Sequence, residues 1–192
     1  MAKQLQKRTL ETRARLVAVA TDLVAEQGYA SLRTEEVVKR AGVAKGTFFA
    51  HFKDKDALMD ILIGTAIDQQ LDQMAQEAAP ETVADLVALH APLLGVMTQE
   101  RYVFDVILRL SGAAEIAEIG VIATTFERYH RLATRWFETG HFRRDIDAEL
   151  QAEGLQAFLT QAMALHFCAL HCSQPMAQRM QLYLQAWLQP KV

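Results

Sequence analysis

Cysteine is scarce in this 192-residue chain: Cys168 and Cys172 are the only two, too few for a disulfide framework. Long uncharged apolar runs are missing too, and none reaches the roughly 18 residues that a membrane-crossing helix needs. The first eight residues are basic, but no apolar stretch follows, so they do not read as a secretion signal. The expectation is a cytoplasmic protein without a membrane partner. No glycine-rich phosphate loop, nucleophile elbow or zinc-spaced cysteine set is present. The sequence therefore nominates no catalytic residue, no metal site and no cofactor, and an enzyme is not expected. Strand signals are also lacking, because few stretches alternate with period two and Val, Ile and Thr do not cluster between turn residues.

What remains is apolar and helical. Hydrophobic residues make up 51% of the chain, enough for a globular core. The net charge of −3 conceals an asymmetry. Residues 1–55 hold 11 Lys/Arg against 6 Asp/Glu, a net of +5, and residues 56–192 hold 9 against 17, a net of −8. A basic N-terminal piece on an acidic body points to an anionic partner met by one end of the molecule.

Apolar periodicity predicts a helix from about Thr9 to Gln27, with Leu16, Val17, Ala20, Leu23 and Val24 on one face. Gly28 stops it, and Tyr29 and Leu32 return to the core. A short helix follows over Thr34–Ala41, with Thr34 as a candidate cap and Glu35 and Glu36 at the positive end of the dipole. Gly42 breaks it. A third helix begins at Lys45 and ends near His51 or Phe52, and a fourth runs from Lys55 to about Glu77. Further helices are expected near 81–98, 100–111, 114–139, 147–172 and 175–188, with a kink at Pro92 and breaks at Gly112 and Gly140.

Two short helices joined by the turn Gly42-Val43-Ala44 are the sequence form of a helix-turn-helix, over about residues 32–51. Val37, Ala41, Val43 and Phe48 can form the small core that sets the crossing. The second helix would then offer its N-terminal residues to base edges in a major groove. Of the two adjacent aromatics, Phe48 is expected inward and Phe49 outward.

From about Thr9 to Leu62 the chain resembles the tetracycline-repressor (TetR) family of bacterial regulators. The residues that carry the resemblance are Leu16-Val17, Ala20, Leu23-Val24, Gly28-Tyr29, Val37-Val38, Ala41-Gly42-Val43, Lys45-Gly46-Thr47, Phe49, His51-Phe52, Lys55 and Ala57-Leu58. The resemblance implies an all-α protein of about nine helices. A helix-turn-helix DNA-binding domain over 9–69 would be followed by a ligand-binding and dimerisation domain over 70–192. It further implies a double-stranded DNA operator, a small-molecule effector and a homodimer formed through the last two helices.

The expected DNA-contacting residues are Arg33, Thr34, Ala44, Lys45, Gly46, Thr47, Phe49, His51 and Lys55. Lysines reach phosphates, Thr47 suits a phosphate or a thymine methyl, and Gly46 permits close backbone approach. Phe49 stands where the family commonly has tyrosine, Ala44 where serine is frequent, and Ala50 where a larger residue often reads a base. Fewer direct base readers remain. For the effector, the expected lining is Phe104, Leu108, Phe126, Tyr129, His130 and Phe167, which suits a hydrophobic or aromatic molecule.

Other readings stay open on the sequence. Glu127-x-x-His130 and Glu138-x-x-His141 have the spacing of di-iron ligands, but they lie about 16 Å apart along one helix and cannot converge. Cys168, His171 and Cys172 would share one face of a continuous helix and could serve a redox- or metal-responsive regulator. A protein-interaction module without operator recognition is the third alternative.

Overall fold

The computed structural model describes residues 2–112, 119–171 and 173–189, and the described residues form helices without a strand. In chain order these are α1 (Ala2–Gln27), α2 (Thr34–Ala41), α3 (Lys45–His51), α4 (Lys55–Met74), α5 (Val83–Met97), α6 (Arg101–Leu110), α7 (Val121–Glu138), α8 (Ala148–His166) and α9 (Met176–Leu188). The fold is all-α, with a helix-turn-helix head and a helical body.

The head forms as the apolar pattern requires. Leu16, Ala20 and Leu23 of α1 are buried with Tyr29 and Leu32 of the following turn, Val37 and Ala41 of α2, and Phe48 of α3. Gly28 at φ +84° and Gly42 at φ +66° close α1 and α2 in the left-handed conformation, where a side chain would be strained. α1 packs on α2 and α4, and α2 packs on α3.

α4 belongs to both parts. Its first turn abuts the head, and its later residues Ile63, Ile67 and Leu71 are buried in the body. It contacts α1, α5, α6 and α7, while α7 packs on α8, α8 on α9, and α9 returns to α5. The α4–α7 contact is tied by Arg128, which donates to the carboxylates of both Asp68 and Asp72. Asp60 of α4 accepts from the backbone N–H groups of Val121 (2.7 Å) and Ile122 (3.0 Å). A carboxylate distant in sequence thus satisfies the open amides that begin α7.

Several boundaries depart from the expected ones. α1 begins seven residues earlier, because Ala2 to Arg8 contain no helix breaker. Thr34 is not the cap of α2. Arg33 occupies that position in extended conformation without a side-chain cap, and Thr34 Oγ1 donates instead to Glu35 (3.2 Å). α4 stops at Met74 rather than near Glu77. α5 runs through Pro92 to Met97. The start of the helix expected over 114–139 falls partly on residues 113–118, outside the described ones, and α7 proper begins at Val121.

α8 ends at His166, so the continuous helix expected to 172 does not exist. Cys168 and His171 lie in the turns that follow, and the shared helical face proposed for Cys168, His171 and Cys172 is lost, Cys172 itself lying outside the described residues. Among the described residues no three His, Cys, Asp or Glu side chains are grouped as metal ligands. His141 likewise falls beyond the end of α7, after Gly140 at φ +81°, which removes the helical spacing of the second Glu-x-x-His pair.

Candidate nucleic-acid interface

The helix-turn-helix is built from α2, the turn at Gly42–Ala44 and α3. Gly42 N–H donates to Lys39 O (3.2 Å) and Val43 N–H to Val38 O (3.0 Å), so the turn closes on the carbonyls that end α2. Phe48 is wholly buried beneath α3, edge-to-face with Phe49 and tilted against Phe52. One aromatic anchors the helix, and its neighbour Phe49, 50% exposed, faces outward.

The remaining residues of α3 present a face with few internal commitments. Ala44, Lys45, Gly46, Phe49 and Ala50 are exposed, and Thr47 and His51 are half-buried. Ala44 holds the N-cap position without a side-chain hydrogen bond, leaving the first amides of α3 open to an anion. Nothing lies within 4 Å of the position a Cβ would take on Gly46, so the surface there is flat. Lys45 Nζ pairs with Glu35 Oε1 of α2 at 2.7 Å, and the hydrogen bond from Lys45 holds the Glu35 carboxyl at a pKa of about 2. Arg33 is exposed at the start of α2, with Thr34 half-buried beside it.

Lys55 is differently placed. It is half-buried at the start of α4, its Nζ 4.8 Å from the centroid of the Tyr102 ring on α6. Burial lowers its pKa below the ordinary lysine value. Its charge therefore sits at the seam between head and body.

That seam has two more fastenings which the sequence did not suggest. Glu100, the residue preceding α6, accepts from the backbone N–H of Tyr29 (2.7 Å) and of Ala30 (2.9 Å) in the turn after α1. Arg109 of α6 donates to Asp56 of α4 at 3.0 Å. α6 thus holds the α1–α2 turn and the first turn of α4 together. Nothing local marks Glu100, since its partners are backbone amides some 70 residues away.

In the body, a narrow cavity of about 20 Å³ lies among α4, α5, α7 and α8. Ile67, Leu71, Leu93, Met97, Leu159 and Met163 form most of its wall, together with Phe126 and the ring of Tyr129. Of the residues expected to line an effector site, Phe126 and Tyr129 lie in this cavity wall. His130 faces an adjoining open groove, shared with Phe126, Gln156 and Thr160. Phe104, Phe167 and Leu108 are not in the cavity wall: Phe104 is buried and stacks on Phe167, centroids 5.7 Å apart, while Leu108 is half-exposed on α6. Their aromatic and aliphatic character is used in packing α6 against the end of α8 or is left to solvent.

The second and third helices of this all-α chain form a glycine-turned helix-turn-helix carried on a larger helical body. Residues 16–61 match the family model described as bacterial regulatory proteins, tetR family. An uncharacterized HTH-type transcriptional regulator of Mycobacterium tuberculosis is 37% identical over 93 residues, 48% of this chain and 47% of the relative. The chain thus matches about half the length of this relative. The fatty acid metabolism regulator protein of Bacillus subtilis is 24% identical over 141 residues, 70% of this chain and 73% of that protein. Among solved structures, Thermus thermophilus FadR, a TetR family transcriptional repressor in complex with lauroyl-CoA, is similar in fold, with a TM-score of 0.64 at 20% identity over 90% of this chain and 91% of that one. The match to the tetR family model lies in the head, at residues 16–61.

Proposed function

We propose that the chain is a sequence-specific DNA-binding transcriptional regulator, acting as a repressor released from a palindromic operator by an effector with a hydrocarbon portion. The observation that carries this reading is the exposed outer face of α3, seated on the buried Phe48. A helix presented in this way enters a major groove with its N-terminal residues toward the bases. Arg33, Thr34, Ala44, Lys45, Gly46, Thr47, Phe49 and His51 supply the contact surface, and Lys55 adds charge at its margin. The head, at about residues 9–69, is the reading unit; the rest binds the effector and the second subunit.

A two-fold dimer follows from the same reading, because such heads read half-sites about 34–36 Å apart. Leu150 on α8 and Leu182 on α9, 42% and 52% exposed, give these last two helices apolar surface for a partner copy.

The apolar cavity among α4, α5, α7 and α8 supports a hydrophobic effector. The lauroyl-CoA complex of the T. thermophilus relative in fold supports a hydrocarbon chain as its occupant. Release would be a population shift, since a ligand moves the equilibrium only by its differential affinity for two arrangements of the heads. The route to the head is short. Ile67 and Leu71 of the cavity wall share α4 with Lys55, and Met97 precedes Glu100 by three residues.

Selection of bound DNA from a random pool at stated salt, with Lys45→Ala beside the parent, tests the proposal. Enrichment of a palindrome by the parent, weakened in the variant, is the expected result. Binding that depends on salt but never on sequence would favour the interaction-module reading. The Cys168 and Cys172 alternative has no supporting observation, because the helical face it required is absent.

A further inference from the structure

Of the polar groups in the body, one pair is wholly withdrawn from solvent yet borders the cavity. His90 of α5 is fully buried, with Nδ1 2.6 Å from the carbonyl oxygen of Leu86 and Nε2 2.7 Å from the hydroxyl of Tyr129 on α7. The chemistry fixes the direction of both bonds. A carbonyl can only accept, so Nδ1 carries the ring proton and donates to Leu86 O; Nε2 is then an acceptor, and the Tyr129 O–H must donate to it. The imidazole is clamped edge-to-face between the Tyr129 and Trp136 rings, at 5.6 and 5.8 Å. Burial keeps it neutral, with a pKa near 4.

Tyr129 lines the cavity with its ring, while its hydroxyl proton is taken by His90. The other hydroxyls in the wall are likewise occupied within their own helices. Thr125 Oγ1 donates to Ile122 O (2.7 Å), and Thr160 Oγ1 donates to Gln156 O (3.0 Å). Gln156 is shared by this wall and the adjoining open groove. A ligand carbonyl or carboxylate placed against this wall would lose its water and find no hydroxyl donor in exchange.

We infer that His90 is a specificity-determining positioning residue: by holding the Tyr129 hydroxyl it keeps the cavity selective for an unsubstituted hydrocarbon segment over one bearing an oxygen acceptor. This inference rests on the effector reading above and names the residue that sets its selectivity. It acts through Tyr129 and does not require His90 to touch the ligand.

The test compares n-heptane with dipropyl ketone, the same chain with a central carbonyl, on the full-length protein. Binding is followed by the methyl resonances of labelled Met97 and Met163, both in the cavity wall. The parent is expected to prefer the alkane by at least about tenfold, the cost of burying a carbonyl without a donor. His90→Phe frees the Tyr129 hydroxyl, and the preference falls about tenfold or reverses. His90→Gln, which offers an acceptor near the Nε2 position, restores the parent ratio, and so does Tyr129→Phe added to His90→Phe. A merely structural role for His90 would weaken both probes alike. If His90→Phe does not fold, Tyr129→Phe alone decides: an unchanged preference supports the inference, and a preference shifted further toward the alkane overturns it by showing that the hydroxyl already served the cavity. A folded His90→Phe that binds both probes at the parent ratio overturns the inference and leaves the effector reading standing. No methyl shift with either probe in the parent overturns both.

Discussion

Replacing Glu100 by alanine removes the clasp between body and head, and its consequences can be worked from the geometry. The carboxylate receives two backbone N–H groups, those of buried Tyr29 at 2.7 Å and exposed Ala30 at 2.9 Å. Hydrogen bonds to charged groups contribute about 1.5–3 kcal/mol each when water cannot substitute. Water can replace the carboxylate at Ala30, so most of the loss falls on the Tyr29 amide, and about 2 kcal/mol is expected. For a chain of this length that corresponds to a fall in melting temperature of about 4–8 °C. Glu100→Gln, which keeps one neutral acceptor, should lose roughly half as much. The same site carries an internal control. A Cβ at Gly28 would stand 2.6 Å from Glu100 Oε1, on a backbone at φ +84°. Gly28→Ala should therefore be penalised twice, by conformation and by collision, and only the first penalty should survive in the Glu100→Ala background. The pair should be clearly less than additive in a double-mutant cycle. The assay is thermal unfolding joined to amide exchange at Tyr29. A Glu100→Ala protein that melts within about 1 °C of the parent, with Tyr29 exchanging no faster, would refute the clasp.

Four other outcomes are expected. Lys45→Ala should reduce the slope of log affinity for DNA against log salt by about 0.9, one phosphate contact, in mobility-shift titrations. Glu35→Gln should tighten binding in the same titrations by releasing Lys45 from its 2.7 Å pair. His90 should make stability pH-dependent: it protonates near 6.5 when unfolded but only at about 4 in the native state. Between these values the unfolded chain binds more protons, so the stability present above pH 6.5 is lost as pH falls toward 4, at about 1.4 kcal/mol per unit. Urea titrations at pH 7 and pH 5 should show a loss about 2 kcal/mol larger in the parent than in His90→Gln. Gly42→Ala should cost about 1–2 kcal/mol, read in the same urea titrations, because its φ of +66° is the only obstacle and nothing lies within 4 Å of the added methyl.

The head was legible in the sequence because its determinants are local. Apolar residues three and four apart in α1, the glycines at 28 and 42, and the adjacent Phe48 and Phe49 act within a few residues of themselves. Periodicity alone therefore placed α2 and α3 and assigned the inward and outward aromatics. Local signals failed where a helix ends without a glycine. α8 stops at His166 on tertiary terms, and the cysteine face assumed beyond it vanished.

What tertiary structure alone decided are pairings across long stretches of chain. Glu100 with the Tyr29 and Ala30 amides, Asp60 with the start of α7, and His90 with Tyr129 join residues 39 to 71 positions apart. Each is an unremarkable side chain in sequence, and its partner is often a backbone group that carries no sequence signal at all. The choice of cavity residues followed the same logic. Phe104, Phe126, Tyr129 and Phe167 are equally apolar on paper, and only helix packing turned two toward the cavity and stacked the other two on each other. Composition sets how much apolar surface must be buried; which surfaces meet is settled by the crossing of helices that the sequence places far apart.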